Sequence, residues 1–262
     1  MPVIHAFTTM GTMASLRLPG EDQARWPLGA VREVFRQADS RFSLYRPESE
    51  ASAMARGETA VADASPVMLD AYADALEWRG ATEGAFTPHR ADGVIDLSGI
   101  VKALAMAEAG RTLRAAGCAS WLLNVGGDVL CAGTDGPRGW CAGIVDPQAR
   151  DALLCAVALG RHRHAIATSG IAERGEHIRR TTPGTGPSDL VQVTVMSAGI
   201  VQADVLATAI LAGGRQSLDT ATGRWDIDVL AATRDGELLA SAGMRAMITR
   251  EPGQVPRPAP LW

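Results

Sequence analysis

The sequence predicts an α+β fold built largely from antiparallel sheets, and three observations carry that expectation. Segments of helical and of strand period do not alternate regularly along the chain, which argues against a doubly wound parallel sheet. Short strand-like runs follow one another between residues 120 and 159, separated only by turn residues. Near the C-terminus two more such runs flank Asp235-Gly236, a dipeptide suited to a tight hairpin.

Taken in order, residues 3–18 read as extended with a break at Gly11. Ala14, Leu16 and Leu18 alternate with Ser15 and Arg17, as in a strand buried on one face, and Pro19-Gly20 ends the segment. Leu28, Val31, Val34, Phe35 and Ala38 fall at helical spacing over 27–40. Val67, Leu69, Ala71, Ala75 and Leu76 repeat the pattern over 64–79, with Pro66 early, where helices tolerate it. The polar stretch 41–62 between them reads as surface loop and short turns. A third helix, rich in Ala, Leu and Met, covers 102–116 and stops at Gly117. Strands are expected at 120–125, 129–132, 140–145, 153–159 and 190–196, then a helix over 203–211 and strands at 227–233 and 237–240. The Gly/Pro clusters at 133–139 and 183–187 read as loops rather than linkers, and no internal repeat is present. Residues 1–262 therefore read as a single unit, of one domain or two closely intertwined subdomains. The tail, 252–262, carries four prolines and should be ordered only if it packs on the body.

Composition narrows the function classes. Hydrophobic residues are 47% and charged residues 21%, ordinary for a soluble globular protein. A net charge of −4 with pI near 5.8, and no block of basic residues, gives no footing for nucleic acid. The most apolar long window, 190–214, is interrupted by Gln192, Gln202 and Asp204. A lone carboxylate at mid-membrane is costly, so the window reads as buried core and not as a membrane span. The start of the chain lacks a basic region followed by an apolar run and has no lipidation cysteine, so a cytoplasmic location is expected. Cys118, Cys131, Cys141 and Cys155 show no metal-site spacing and read as buried thiols in a reducing compartment, with a disulfide pair as the alternative.

Five segments carry side chains suited to chemistry. On a helix, Asp204 and Thr208 lie four apart and share a face, presenting a carboxylate and a hydroxyl of the kind Mg²⁺ accepts. The residues around Asp204 are almost all apolar, so a buried charge there needs neutralising, and a cation is one way. The stretch from Ile95 to Lys102 opens the third helix, with Ser98 as its expected cap. Helix-start amides beside a lysine suit an anionic phosphate. Asn124-Val125-Gly126-Gly127-Asp128 is either a hairpin turn or a place where backbone approaches a ligand. Ala167-Thr168-Ser169-Gly170 precedes Arg174, His177-Ile178 and Pro183-Gly184-Thr185-Gly186. Tyr45, one of two tyrosines, lies in the polar segment Phe42–Glu50 and could stack on a flat ring. Each segment alone also fits a plain structural role.

In order and spacing, these segments resemble the ApbE family of FAD:protein FMN transferases. The matching positions are Met10-Gly11-Thr12, Ser43-x-Tyr45-Arg46 with Ser49-Glu50, Gly84-Ala85-Phe86, Asp96-x-Ser98-Gly99-Ile100-x-Lys102 and Asn124-x-Gly126-Gly127-Asp128. They continue through Thr168-Ser169-Gly170, His177-Ile178, Thr185-Gly186, Ala203-Asp204 and Ala207-Thr208. The resemblance implies a metal, Mg²⁺, held by Asp204, Thr208 and the main-chain oxygen near Gly99. It implies an FAD site lined by Met10, Tyr45, Ala85, Phe86, Thr87, Asp96, Lys102 and Ile178. It implies His177 near the reacting phosphate as a base for the acceptor hydroxyl, with Asp204 the other catalytic residue. The implied partner is an acceptor flavoprotein with an FMN-binding domain. The chain departs from the family pattern at Thr87, Ala103, Ala107, Ile171 and Gly184, and its segment from His177 to Thr185 is longer. Two other readings of the same residues stay open: a Mg²⁺-dependent FAD pyrophosphatase and a flavin-binding protein without turnover.

Overall fold

Strands β1 (Val3–Thr9) and β2 (Thr12–Leu18) form a hairpin whose two-residue turn, Met10-Gly11, takes positive φ at both positions. That handedness matches the twist of paired strands. The computed structural model describes residues 3–19, 26–160, 162–171 and 188–250. From β2 an eight-stranded sheet runs in the order β1-β2-β3-β4-β7-β8-β9-β10, with β3 Trp121–Val125, β4 Asp128–Ala132, β7 Ala165–Gly170, β8 Leu190–Ser197, β9 Asp228–Thr233 and β10 Leu238–Ala240. A smaller sheet has the order β11-β6-β5, with β5 Trp140–Val145, β6 Leu153–Leu159 and β11 Ile248–Arg250. Every paired strand is antiparallel, as the sequence predicts.

The α-helices among the described residues are α1 (Leu28–Phe42), α2 (Glu50–Ala55), α3 (Pro66–Ala81), α4 (Ser98–Ala115), α5 (Ile200–Arg224) and α6 (Ala242–Met247). The main core joins Val31 and Phe35 of α1, Ile100 and Met106 of α4 and Leu206 and Ile210 of α5 to Leu16, Trp121, Ala167 and Val195 of the large sheet. The opposite face of that sheet packs Val129, Cys131, Ile166, Met196 and Leu230 on Trp140, Ile144 and Val157 of the small sheet. Central strands are thus covered on both sides. This is why β9 is buried at every position while β2 alternates.

Several expectations need correcting. The stretch 41–62 is not only loop: Ser49 accepts the Ser52 N–H and so caps α2, and Val61–Asp63 forms a 3₁₀ turn. Strand β7 and the elements α6 and β11 have no counterpart in the sequence reading. α5 extends far beyond 203–211. It breaks at Gly214, which takes φ 68° and non-helical ψ, and then resumes. Ser98 is not the cap of α4 but its first residue; the Ser98 N–H is instead taken by Asp96 Oδ1 at 2.9 Å. The four cysteines are free thiols, with Cys131 and Cys155 buried, Cys118 half-buried and Cys141 exposed. No helix among the described residues is long and apolar enough to cross a membrane.

Candidate functional site

Residues suited to chemistry gather where one end of β4 and β7 meets α4 and α5. The turn between β3 and β4 begins the site. Gly126 donates its N–H to Met13 O at 2.9 Å, and Gly127 donates to Asn124 Oδ1 at 3.2 Å. Gly126 has φ +59°, and a Cβ there would stand 2.9 Å from Thr12 Oγ1. Only glycine fits that contact and that conformation together. The turn therefore lies against the Met10-Gly11 hairpin tip and delivers Asp128 as the first residue of β4.

Asp128 is 1% exposed. Its Oδ1 accepts the Thr168 N–H at 2.9 Å, and its Oδ2 forms an ion pair with Lys102 Nζ on α4. Burial pushes its carboxyl up to about 6; the Lys102 charge works against that rise and the charge of Asp204 adds to it. Asp204 is itself fully buried on α5. One turn further along α5, Thr208 Oγ1 lies 3.0 Å from Ser169 Oγ. Thr168 turns the other way, its hydroxyl 2.9 Å from that of Thr194 on β8. Among the described residues no group of three His, Cys, Asp or Glu side chains could hold a metal. The donor set at this place is of a different kind: the buried Asp204 carboxylate with hydroxyls on α5 and β7, the second buried carboxylate, Asp128, being engaged by Lys102 and Thr168. Hard oxygen donors with few protein charges suit Mg²⁺, which keeps waters and phosphate oxygens in its shell.

The remaining predicted positions are distributed around this centre. Gly99 lies half-buried in the first turn of α4, two residues after the buried Leu97. Asp96 is held at both ends, its N–H donating to Pro88 O and its Oδ1 accepting from Ser98. Phe86 is buried in the main core, with Ala85 partly buried beside it. Thr87 Oγ1 accepts the His89 N–H at 3.2 Å, and His89 Nε2 meets the Tyr72 hydroxyl at 2.8 Å. Around Tyr45 the loop is stapled: Ser49 and Ser52 hydroxyls donate to Ser43 O, while Glu50 accepts from the N–H and hydroxyl of Ser65. The motif's other side chains are spent on holding the loop. Tyr45 is left 96% exposed. His177 and Ile178 lie outside the described residues.

Two participants, Asp128 and Ser169, lie in segments the sequence singles out but have no role assigned to them there. A signal for the first was present: Lys102 is the only lysine among 25 lysine and arginine residues, so its acidic partner was worth seeking.

Comparisons with known proteins bear on the same segments. The profile of the ApbE family matches residues 89–231, which include Asp96, Lys102, Asp128, Asp204 and Thr208. A curated relative, an FAD:protein FMN transferase of Rhodobacter capsulatus, is 31% identical over 173 residues, covering 63% of this chain. The chain spans about a third, 33%, of that relative's length. Among solved structures, the ApbE protein of Thermotoga maritima superposes with a TM-score of 0.77 at 16% identity, covering 94% of this chain and 99% of that one. The flavin transferase ApbE of Vibrio cholerae gives 0.73 at 20% identity, with coverage of 94% and 99%. The flavinyl transferase ApbE of Pseudomonas stutzeri gives 0.73 at 17%, with 95% and 98%. These structures share the fold, and the profile covers more than half of the chain together with the buried acid and hydroxyl of α5: the chain belongs to the ApbE family.

Proposed function

We propose that this chain is a Mg²⁺-dependent FAD:protein FMN transferase. The observation that carries the reading is the pairing of the buried Asp204 and the half-buried Thr208 on one helix face with the Lys102–Asp128 ion pair beside them. Asp204, Thr208 and the Gly99 main-chain oxygen would hold the metal. When bound, Mg²⁺ neutralises charge on the phosphate oxygens of FAD. Lys102 and the first amides of α4 bind the pyrophosphate and offset the negative charge that spreads over it as it is cleaved. Tyr45 is an exposed aromatic face on a fixed loop, suited to stack on a flat ring system. Met10, Ala85, Thr87 and Asp96 complete the flavin pocket, with Phe86 supporting it from the core.

In the reaction, a serine or threonine hydroxyl of the acceptor flavoprotein attacks the phosphorus on the FMN side of the pyrophosphate. The bond from that phosphorus to the bridging oxygen breaks, and AMP leaves with that oxygen. The hydroxyl proton passes to His177. The product is a phosphoester-linked FMN on the acceptor.

The test is incubation of the protein with FAD, Mg²⁺ and a small FMN-binding domain that carries the target hydroxyl, followed by intact mass of that domain. A gain equal to FMN less water supports transfer. Free FMN and AMP with an unmodified acceptor would assign hydrolysis instead, and intact FAD would leave binding alone.

A further inference from the structure

We propose that Asp128 is the positioning residue of this site, holding the Lys102 ammonium and so fixing where positive charge meets the pyrophosphate. The inference rests on the reading of the site given above and adds to it a residue and a role. Asp128 ties three elements together. It begins β4, it accepts a hydrogen bond from the backbone of β7, and it forms an ion pair with α4. The pair is shielded, with side chains 21% and 1% exposed for Lys102 and Asp128.

A pair this deep is poor evidence of stabilisation, because desolvating both ions offsets their attraction. The cost is increased here by Asp204, whose charge acts on the same carboxylate. Structural need alone would be met as well by two apolar side chains of similar volume. The identity of the cation points the same way. Every basic position but one in this chain is arginine, and the exception is Lys102. Lysine supplies a compact point charge with three donors, whereas arginine supplies a planar fork of five. A flexible lysine stem does not place its own charge, so something must hold it. The Gly126-Gly127 turn sets Asp128 where its two oxygens reach both β7 and Lys102.

The only lysine in the chain makes a direct test available. A limited pulse of an amine-acylating ester modifies Lys102 and the α-amino group alone, and peptide mass separates them. Asp128→Asn keeps the oxygen that accepts from Thr168 and removes the charge. Without FAD, Lys102 acylation should rise about fivefold or more in this variant, since an opposite charge no longer holds the amine. Equal rates in wild type and variant would overturn the proposal. Protection of wild-type Lys102 by FAD is a separate arm. If FAD gives none, the reading of the pocket fails, while the comparison made without FAD still decides the role of Asp128.

A kinetic cycle adds a readout that a merely structural role would not produce. Asp128→Asn should lower kcat for FAD cleavage about 10- to 100-fold with KM within about threefold. In a Lys102→Met background the same change should cost less than about threefold, because its effect passes through the lysine. Equal costs in both backgrounds would show that Asp128 acts on its own account and sink the idea. Should Asp128→Asn fail to fold, Asp128→Glu, which keeps the charge but moves it by one methylene, carries the kinetic cycle: a loss of kcat that vanishes in the Lys102→Met background supports the role, and an equal loss in both backgrounds overturns it.

Discussion

Replacing Asp204 by asparagine should reverse its own effect on stability when Mg²⁺ is added. Asp204 is fully buried, and its charge acts on Asp128, which is also buried. Asparagine keeps the shape and removes both the buried charge and the repulsion. Without divalent ion the variant should therefore be more stable by about 1–2 kcal/mol, a modest fraction of the cost of burying an ion. For a chain of this size that corresponds to a rise of roughly 2–4 °C in Tm. With Mg²⁺ the balance turns. Wild type gains RT ln(1 + [Mg²⁺]/Kd), about 2.7 kcal/mol at a hundredfold excess over Kd. The variant, lacking the charged donor, should gain almost none of it. Thermal unfolding in EDTA and across a Mg²⁺ series at constant ionic strength follows both effects. A variant that keeps the full Mg²⁺ shift would remove Asp204 from the metal site. A variant less stable than wild type in EDTA would mean that the carboxylate serves the metal-free fold.

Three further outcomes are expected. Tyr45→Ala should weaken FAD binding by about 1 kcal/mol, as loss of one aromatic stack does, with no change in Tm because the ring is almost fully exposed; fluorescence titration checks it, and unchanged affinity would put Tyr45 outside the pocket. His177→Ala should slow FMN transfer by roughly 10²- to 10⁴-fold with FAD affinity retained, the signature of a lost general base; weaker FAD binding with unchanged turnover of bound FAD would make His177 a pocket wall. Metal-free stability should fall as pH rises from about 4 to about 6: folding raises the Asp128 carboxyl from 3.8 to about 6, so the native state holds a proton in that window that the unfolded chain has released. The loss should be at most about 3 kcal/mol, and urea titrations in EDTA that show flat stability over this range would contradict it.

Much of this architecture was legible in local pattern. The alternation of Ala14, Leu16 and Leu18 marked the first hairpin, and Asp235-Gly236 marked the last, where Gly236 takes φ 90°. The Asp204–Thr208 spacing located a buried carboxylate and a half-buried hydroxyl on one helix face. What escaped depends on distant partners. Strand β7 is short, and its polar residues 168 and 169 look like loop until β8 and α5 supply their hydroxyl partners. α2 is a six-residue helix whose start depends on a serine cap and whose Glu50 reaches Ser65. The pair Gly213-Gly214 signals a helix end. The chain does leave helical geometry at Gly214, but Arg215 is then tied to Asp189 and Glu237 as the helix resumes. Asp128 was visible as the last residue of the Asn124–Asp128 motif, without a partner to give it a role. Its role required knowing that β4 and α4 meet.

Packing of the apolar core is also what aims the chemistry. Along β7, Ala165 and Ala167 face the helices while Ile166 faces the small sheet. Strand alternation then sends Ser169 toward α5 and Thr168 toward β8. On β4, Leu130 joins the core against the helices and Val129 and Cys131 face the small sheet, so Asp128 falls on the helix side with Ser169. The pairing of Val129 with Ile166 and of Leu130 with Ala165 holds these two strands in step. A slip of one residue would bury Thr168 against α5, turn Ser169 away from Thr208 and move the two alanines out of the helix-packed core. The apolar residues make that slip costly, since every core position of β7 would change sides at once. The polar end of the helix–sheet interface thus needs no separate device for its register: the alanines and leucines further along the same strands hold it, and the glycine turn adds only the angle at which Asp128 begins.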